Sequence, residues 1–379
     1  MNFQHTLQKY KNNKINRSLG IPDTCPKNSF YKYFIIIPSY SENLYIHDTL
    51  DTVAIQNKEL LSQILVVVVI NNSIDDNRII KNNNYNTYRK LLNQHYVFEL
   101  IIIDSFSRKN ALSENQSGVG MARRIGYDYC IRYAKKNSLF FSLDADTLIH
   151  KHYLLQIIQI YKTQKFSSAV VNFQHQSNDN PKIQQAIVKY ETLLKNIAFN
   201  IRKTGSPYGF VSMGSTIICT MEAYIAVGGM PIKTATEDFY FLQQLAKFSR
   251  IHIIDKVLVY PSSRAETRVY LGTGFRMSNL NKDTLFKDLY INPEAYIGLK
   301  KLFKIIETKW DCSIIEIISS IVKINGNLYK YLESENFSNA FKKIQKNSIN
   351  KKQLLNQFHT WFDNFKIYKF LKIYINEAR

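Results

Sequence analysis

Two pairs of acids stand where apolar chain gives way to polar chain. In FFSLDADT the apolar run Leu139 to Leu143 leads straight into Asp144 and Asp146. Carboxylates two positions apart at a strand end can face one side and share a hard cation, Mg2+ or Mn2+, which can bridge a diphosphate. The same tripeptide also suits the cap of a helix beginning at Leu148. Further on, Glu237 and Asp238 open the amphipathic stretch FYFLQQL. A carboxylate there can take the proton of an attacking hydroxyl. Acids are equally at home in the first turn of any helix, and Thr236 is a natural cap for one.

Arginines and glycines complete the chemically useful set. In GVGMARRIGYDY, Gly118 and Gly120 at a helix start allow close backbone approach, and amides plus Arg123 suit phosphate or base oxygens. Arg123 is preferred over Arg124, and the competing reading is an ordinary Gly-initiated helix with surface arginines. In VYPSSRAETRVYLGTGFR, Arg264, Arg268 and Arg276 surround small residues. Planar guanidinium groups can neutralise a leaving diphosphate or hold an acidic acceptor. His150 and His152 read as residues of a solvated loop, and His252 as a strand residue.

The elements that must position these residues alternate. Tyr33 to Pro38, Ile64 to Ile70, Phe98 to Ile103 and Leu139 to Leu143 read as buried strands. A helix over Leu44 to Leu61, a long Asn-rich loop from Asn71 to Asn86 with a short helix after it, and a helix from Gly118 separate them. That alternation predicts a parallel sheet. Ligands bind outside the carboxyl ends of such strands, so Ser39 to Glu42, Asn71 to Asp75, Asp104 and Asp144 to Asp146 should converge. A helix near Tyr153, a strand Ser168 to Phe173, a long helix Ile183 to Arg202 and a strand Ser215 to Cys219 follow. The expected organisation is a polar leader over 1–30, a catalytic domain over 31–291 and a Lys-rich helical region over 292–379.

Composition sets outer limits. A chain of 379 residues that is 45% hydrophobic is globular, and no run approaches the roughly 20 apolar residues of a membrane span. The N-terminus lacks the apolar core of a secretory signal, which points to the cytoplasm. The four cysteines are widely spaced and read as free thiols. A net charge of +20 favours an anionic partner. No recognisable nucleic-acid module or basic–aromatic platform is evident, so nucleic acid is not expected.

The ordered segments FIIIPSYSEN, VVVVINNSIDD, GVGMARRIGYDY, FFSLDADT and TEDFYFLQQL together resemble family-2-type GT-A glycosyltransferases, over roughly Tyr33 to Leu245. The resemblance implies a GT-A α/β fold, Rossmann-like, with a mostly parallel central sheet flanked by helices, here with a C-terminal α-helical appendage. It implies inverting, metal-dependent transfer of a sugar from a nucleotide diphosphate, a UDP-sugar being favoured, to a hydroxyl of a glycan or lipid-linked glycan. By the same resemblance Pro38, Tyr40 and Glu42 touch the nucleoside. Asn72 and Asp75 stand where the family carries a base-facing acid, a departure that leaves the base open. Gly120, Arg123 and Asp144 add donor contacts, Asp144 and Asp146 hold Mn2+ or Mg2+, Asp238 is the general base with Glu237 beside it, and Arg264 and Arg268 bind phosphate. The Q-x-x-R-W signature of processive members is not found. A nucleotidyltransferase would carry a Gly-rich basic loop that YFIIIPSYSEN lacks. An inactive GT-A-like binding protein at a membrane or other anionic partner would explain the charge. Lysine-rich aromatic stretches such as FHTWFDNFKIYKFLKIYI can either pack in a core or rest peripherally on an anionic inner-membrane surface.

Overall fold

Strands apolar at every position need cover on both faces, which parallel strands with crossover helices provide. The computed structural model describes residues 2–15, 20–267, 271–281 and 285–376. The strands are β1 (Ile21–Pro22), β2 (Tyr33–Ser39), β3 (Ile64–Asn71), β4 (Glu99–Ser105), β5 (Leu139–Ser142), β6 (Leu148–Ile149), β7 (Ser168–Phe173), β8 (Ile217–Thr220) and β9 (His252–Tyr260). They form one nine-stranded sheet in the order β1-β4-β3-β2-β5-β8-β7-β9-β6. Every residue of β2 and β3 is buried, and the two run parallel from Tyr33 opposite Ile64 to Ser39 opposite Ile70. The long pairings β2–β3, β3–β4 and β7–β9 are parallel. The shorter β2–β5 pairing is parallel too, whereas β5–β8, β7–β8, β6–β9 and β1–β4 are antiparallel. The expected α/β sheet flanked by helices is present, and a helical region occupies the C-terminal part of the chain.

Four local expectations need correction. The Asn-rich segment is not a long loop: helix Arg78–Asn93 begins within it, capped by Asn77, whose side chain accepts from the Ile80 amide at 3.0 Å. Asparagine is a poor helix former in isolation, but here Asn84 is fully buried with both ends of its amide bonded. The helix expected from Leu44 to Leu61 is two, Ile46–Ala54 and Lys58–Leu61, because Asn57 caps the second through the amides of Glu59 and Leu60. Leu148 begins β6, not a helix. Pro38 does not end its strand: it pairs with Val69, and because β5 accompanies β2 only as far as Ile36, its missing N–H lies beyond that ladder.

The chain divides into two compact units, Met1–Val188 with Ser212–Leu280, and Lys189–Val211 with Asn281–Arg379. The first contains the sheet. Residues 2–15 of the polar leader include helix Phe3–Asn13, capped by Asn2 and anchored by the buried Tyr10. The second unit contains the helices Pro293–Thr308, Ile314–Val322, Gly326–Ser334, Phe337–Asn347, Lys351–Trp361 and Asn364–Asn376. Its helices pack on each other through Phe303, Phe337, Phe341, Phe358, Phe362 and Phe370, all buried. Tyr208 joins them by donating to the His359 carbonyl at 2.8 Å. Among the described residues no helix is long and apolar enough to cross a membrane.

Tyr10 enters a buried polar knot in the first unit. Its hydroxyl donates to Asp128 at 2.7 Å, Tyr224 donates to the same carboxylate at 2.8 Å, and Arg124 lies 3.5 Å away. Burial pushes the Asp128 carboxyl up to about 6, against the lowering effect of the Tyr10 hydroxyl and of Arg124. The folded state thus favours the protonated acid, so this group's contribution is complete below about pH 4 and is lost as pH rises through about 6. The shift corresponds to about 3 kcal/mol. Urea unfolding of wild type and Asp128→Asn at pH 4 and pH 7 should show the wild type losing ground to the variant by up to that amount. A difference between the two proteins that is flat with pH contradicts the assignment.

Candidate active site

The centre of the candidate site is a guanidinium with almost no access to water. Arg123 lies in helix Val119–Cys130 and is 2% exposed. It donates to the Asp144 carboxylate and the Ser142 hydroxyl, reaches the Leu143 carbonyl at 3.5 Å, and lies 3.4 Å from Glu237 Oε1. Ser215 donates to the other oxygen of Asp144 and accepts from Thr147 at 3.1 Å. A Cβ at Gly214 would collide with Arg123 Nη2, so glycine is what allows the guanidinium to lie there. Burial opposes the charge on Arg123, but Asp144 and Glu237 outweigh it and keep the group firmly protonated.

Glu237 and Asp238 open helix Glu237–Phe248, as their spacing suggested, but Thr236 does not cap it. Thr236 sits in the left-handed region with φ 66°, and its hydroxyl turns back to the Ala235 carbonyl. A β-branched residue there is a true conformational outlier, which the surrounding structure must enforce. Glu237 is 5% exposed and Asp238 is partly buried. Burial raises the pKa of both carboxyls, with Asp238 adding to the rise at Glu237, while Arg123 pulls both back. Two neighbouring acids with raised proton affinity beside one fixed cation suit a role in proton transfer.

Asp146 faces a second arginine. Arg264 Nη2 lies 3.1 Å from Asp146 Oδ2 and 2.5 Å from Glu42 Oε1, and its guanidinium lies over the Tyr45 ring, 4.2 Å from the centroid. The Asp146 carbonyl accepts from Gln176 at 2.9 Å. The loop after β2 is shaped from the Asn-rich helix: Ser41, at φ 59°, donates its amide to Asn84 at 2.8 Å, and Asn43 donates to Asn83 at 3.1 Å. Tyr40 is partly buried and donates to Asp76 at 2.9 Å.

Several residues singled out from sequence have other work here. Asn72 is fully buried, donates to the Ser73 carbonyl and accepts from Asn84, so it offers no face to a nucleobase. Asp75 is exposed, and it is Asp76 that bonds to Tyr40 and to the Ser73 amide. Asp104 folds onto its own loop, accepting from the amides of Phe106 and Ser107 and from Asn110. Gly118 and Gly120 are needed for packing against segment 231–234: a Cβ at Gly120 would lie 2.6 Å from the Pro231 and Lys233 carbonyls. The Gly120 amide is already donated to Lys233 O at 3.3 Å. Pro38 is buried within its strand. Arg123 and Arg124 are both buried, which removes the reading of surface arginines; Arg124 donates to the Met230 carbonyl at 3.0 Å. Arg268 lies outside the described residues. Sequence reasoning missed Ser142, Ser215, Tyr45 and Asp76. Only Asp76, the second acid of SIDD, left any local signal.

The donors at Asp144 and Asp146 are hard carboxylate oxygens, right in kind for Mn2+ or Mg2+. Asp144 is 35% exposed, open to a ligand on one side. Among the described residues no three His, Cys, Asp or Glu side chains converge on one point. The two aspartates would offer a divalent cation carboxylate oxygens but only part of its shell, and each is paired here with an arginine, Asp144 with Arg123 and Asp146 with Arg264.

No protein-family model matches the chain, and no curated protein matches it. Among solved structures it is similar to residues 1–349 of S. aureus TarS in complex with UDP-GlcNAc, at 14% identity over 87% of this chain and 90% of that one, with a TM-score of 0.46. Against the longer S. aureus TarS structure, at 17% identity and a TM-score of 0.39, it covers 54% of that chain. It is also similar to the mannosyltransferase PcManGT from Pyrobaculum calidifontis in complex with GDP-Man and Mn2+, at 14% identity over 99% and 94% of the two chains, with a TM-score of 0.43.

Removing Arg123 strands the buried Glu237 carboxylate, and breaking a buried pair typically costs about 3–5 kcal/mol. Arg123→Met should lower stability in guanidinium unfolding by about that much. Because Glu237 is the stranded acid, Arg123→Met/Glu237→Gln should recover part of the loss, giving a coupling of about 1–3 kcal/mol. Strict additivity of the two substitutions would mean that the pair is not energetically linked.

Proposed function

We propose that the chain is a nucleotide-sugar-dependent glycosyltransferase of family-2 GT-A type, inverting and metal-dependent, that moves a sugar to a hydroxyl of a glycan or lipid-linked glycan. One observation carries the reading. Arg123 joins Asp144, at the end of β5, to Glu237, at the start of its helix, so one acid of the D-x-D pair and one of the E-D pair share a guanidinium. Asp144 and Glu237, 93 positions apart in sequence, thereby meet at a single cation.

Asp144 and Asp146 would hold Mn2+ or Mg2+, which would supply positive charge to offset the negative charge that develops on the leaving group. Tyr40 and Glu42 border the nucleoside side of the site, with Asp76 fixing Tyr40. Uridine diphosphate is the first donor nucleotide to test. Arg264 presents a planar fork suited to phosphate oxygens. The acceptor oxygen attacks the anomeric carbon from the face opposite the diphosphate. The carbon–oxygen bond to the diphosphate breaks, and the electron pair leaves with it. The acceptor proton passes to the Asp238 carboxylate, whose proton affinity burial has already raised. Arg123 holds Glu237, the residue before that base, at 3.4 Å, and activity should climb as pH rises through the raised pKa of the base.

Calorimetric titration with uridine and guanosine diphosphates, with and without Mn2+, tests the donor site. Binding should strengthen with the metal and should weaken by about tenfold or more in Asp144→Asn or Asp146→Asn, a loss of about 1.4 kcal/mol or more. Asp238→Asn should keep nucleotide affinity within about twofold while slowing sugar transfer by about 10²–10⁴. Failure to bind either nucleotide under any of these conditions would overturn the proposal, and undiminished turnover by Asp238→Asn would remove Asp238 as the base.

A further inference from the structure

The two arginines of the site hold their acids in different ways. Arg123 is locked: it rises from a helix, is 2% exposed and is bonded on several sides by Ser142, the Leu143 carbonyl, Asp144 and Glu237. Arg264 lies in the irregular segment after β9, its side chain is 18% exposed, and the ring beneath it, Tyr45, is itself 37% exposed. One nitrogen of Arg264 serves both Glu42 and Asp146. The backbone at Asp146 is pinned by Gln176, which donates to the Asp146 carbonyl at 2.9 Å and to the Tyr260 carbonyl at 2.8 Å. The carboxylate of Asp146 can therefore change partner while its main chain stays put.

A guanidinium between Glu42 and Asp146 already supplies the positive charge that a divalent ion would bring to Asp146. Two cations cannot share that carboxylate without strong repulsion in a partly buried site. A nucleotide diphosphate offers the guanidinium a bidentate alternative on phosphate oxygens. We propose that Arg264 is a built-in counter-ion that occupies Asp146 until a nucleotide diphosphate draws it away, so that tight metal binding follows nucleotide binding. This inference rests on the donor-site reading above. By linkage, a displacement that makes metal binding depend on nucleotide makes nucleotide binding depend on metal to the same degree.

Direct measurement of Mn2+ binding, by the electron paramagnetic resonance signal of the free ion, tests this without any turnover. Wild type should bind Mn2+ at least about tenfold more tightly in the presence of uridine or guanosine diphosphate than in its absence, within the usual range of coupling between sites. Arg264→Ala should bind Mn2+ alone about tenfold more tightly than wild type does and lose most of the nucleotide dependence. Arg264→Ala leaves Glu42 without this cation, so Arg264→Ala/Glu42→Gln removes the guanidinium together with the acid it covers, and the same gain should appear there. If wild type binds Mn2+ with nucleotide but neither variant gains affinity for Mn2+ alone, the counter-ion role is wrong and the donor site stands. If no protein binds Mn2+ with or without either nucleotide, both the donor-site reading and this inference fall.

Discussion

A single buried cation organises the candidate site. Arg123 cannot be accommodated in the core unless its charge is matched, and the matching groups come from the end of β5 and from the start of helix Glu237–Phe248. Burying a guanidinium beside acids is costly unless geometry and additional hydrogen bonds are good, and Ser142 and the Leu143 carbonyl supply those bonds. The requirement extends outward. Gly214 must lack a side chain, Ser215 must complete Asp144, and segment 231–234 must lie flat on Gly118 and Gly120 so that Glu237 arrives in reach. Left-handed Thr236 is the local consequence, since the chain has to turn sharply between that segment and its helix.

The opposite side of the site is built from amide groups. Asn84 holds Ser41 in its left-handed conformation and at the same time joins the Asn71 carbonyl and the Asn72 side chain, so the loops after β2 and β3 are fastened to one helix. An asparagine can do this because its side chain donates and accepts at once. The composition that resembled a loop is thus the fastening of two loops. Its cost in helix propensity is about half a kilocalorie per residue or less, small beside the cost of leaving buried amides without partners.

The contrast between the two arginines separates structure from response. Arg123 is surrounded on all sides and acts as part of the core. Arg264 lies on irregular chain over an exposed ring, and its two acids come from different loops, Glu42 after β2 and Asp146 after β5. A charge that keeps some access to water loses less on changing partners than one that is fully buried, so the second arginine is the one suited to move.

The order and type of the main strands were legible from the sequence, because unbroken apolar runs such as YFIII and ILVVVVI can be satisfied only in the interior of a sheet. Helix starts at Gly118 and Glu237 were legible for the same local reason, as were the acids at the end of β5. What the sequence could not display were partners remote along the chain. That Arg123 faces Asp144 and Glu237, that Asn72 is consumed by Asn84, that Asp76 and not Asp75 meets Tyr40, and that Arg264 spans Glu42 and Asp146 depend on crossovers that bring distant loops to one sheet edge. Hydrophobic periodicity is a property of neighbours in sequence, whereas the pairing of buried charges is decided by which loops the finished sheet sets side by side.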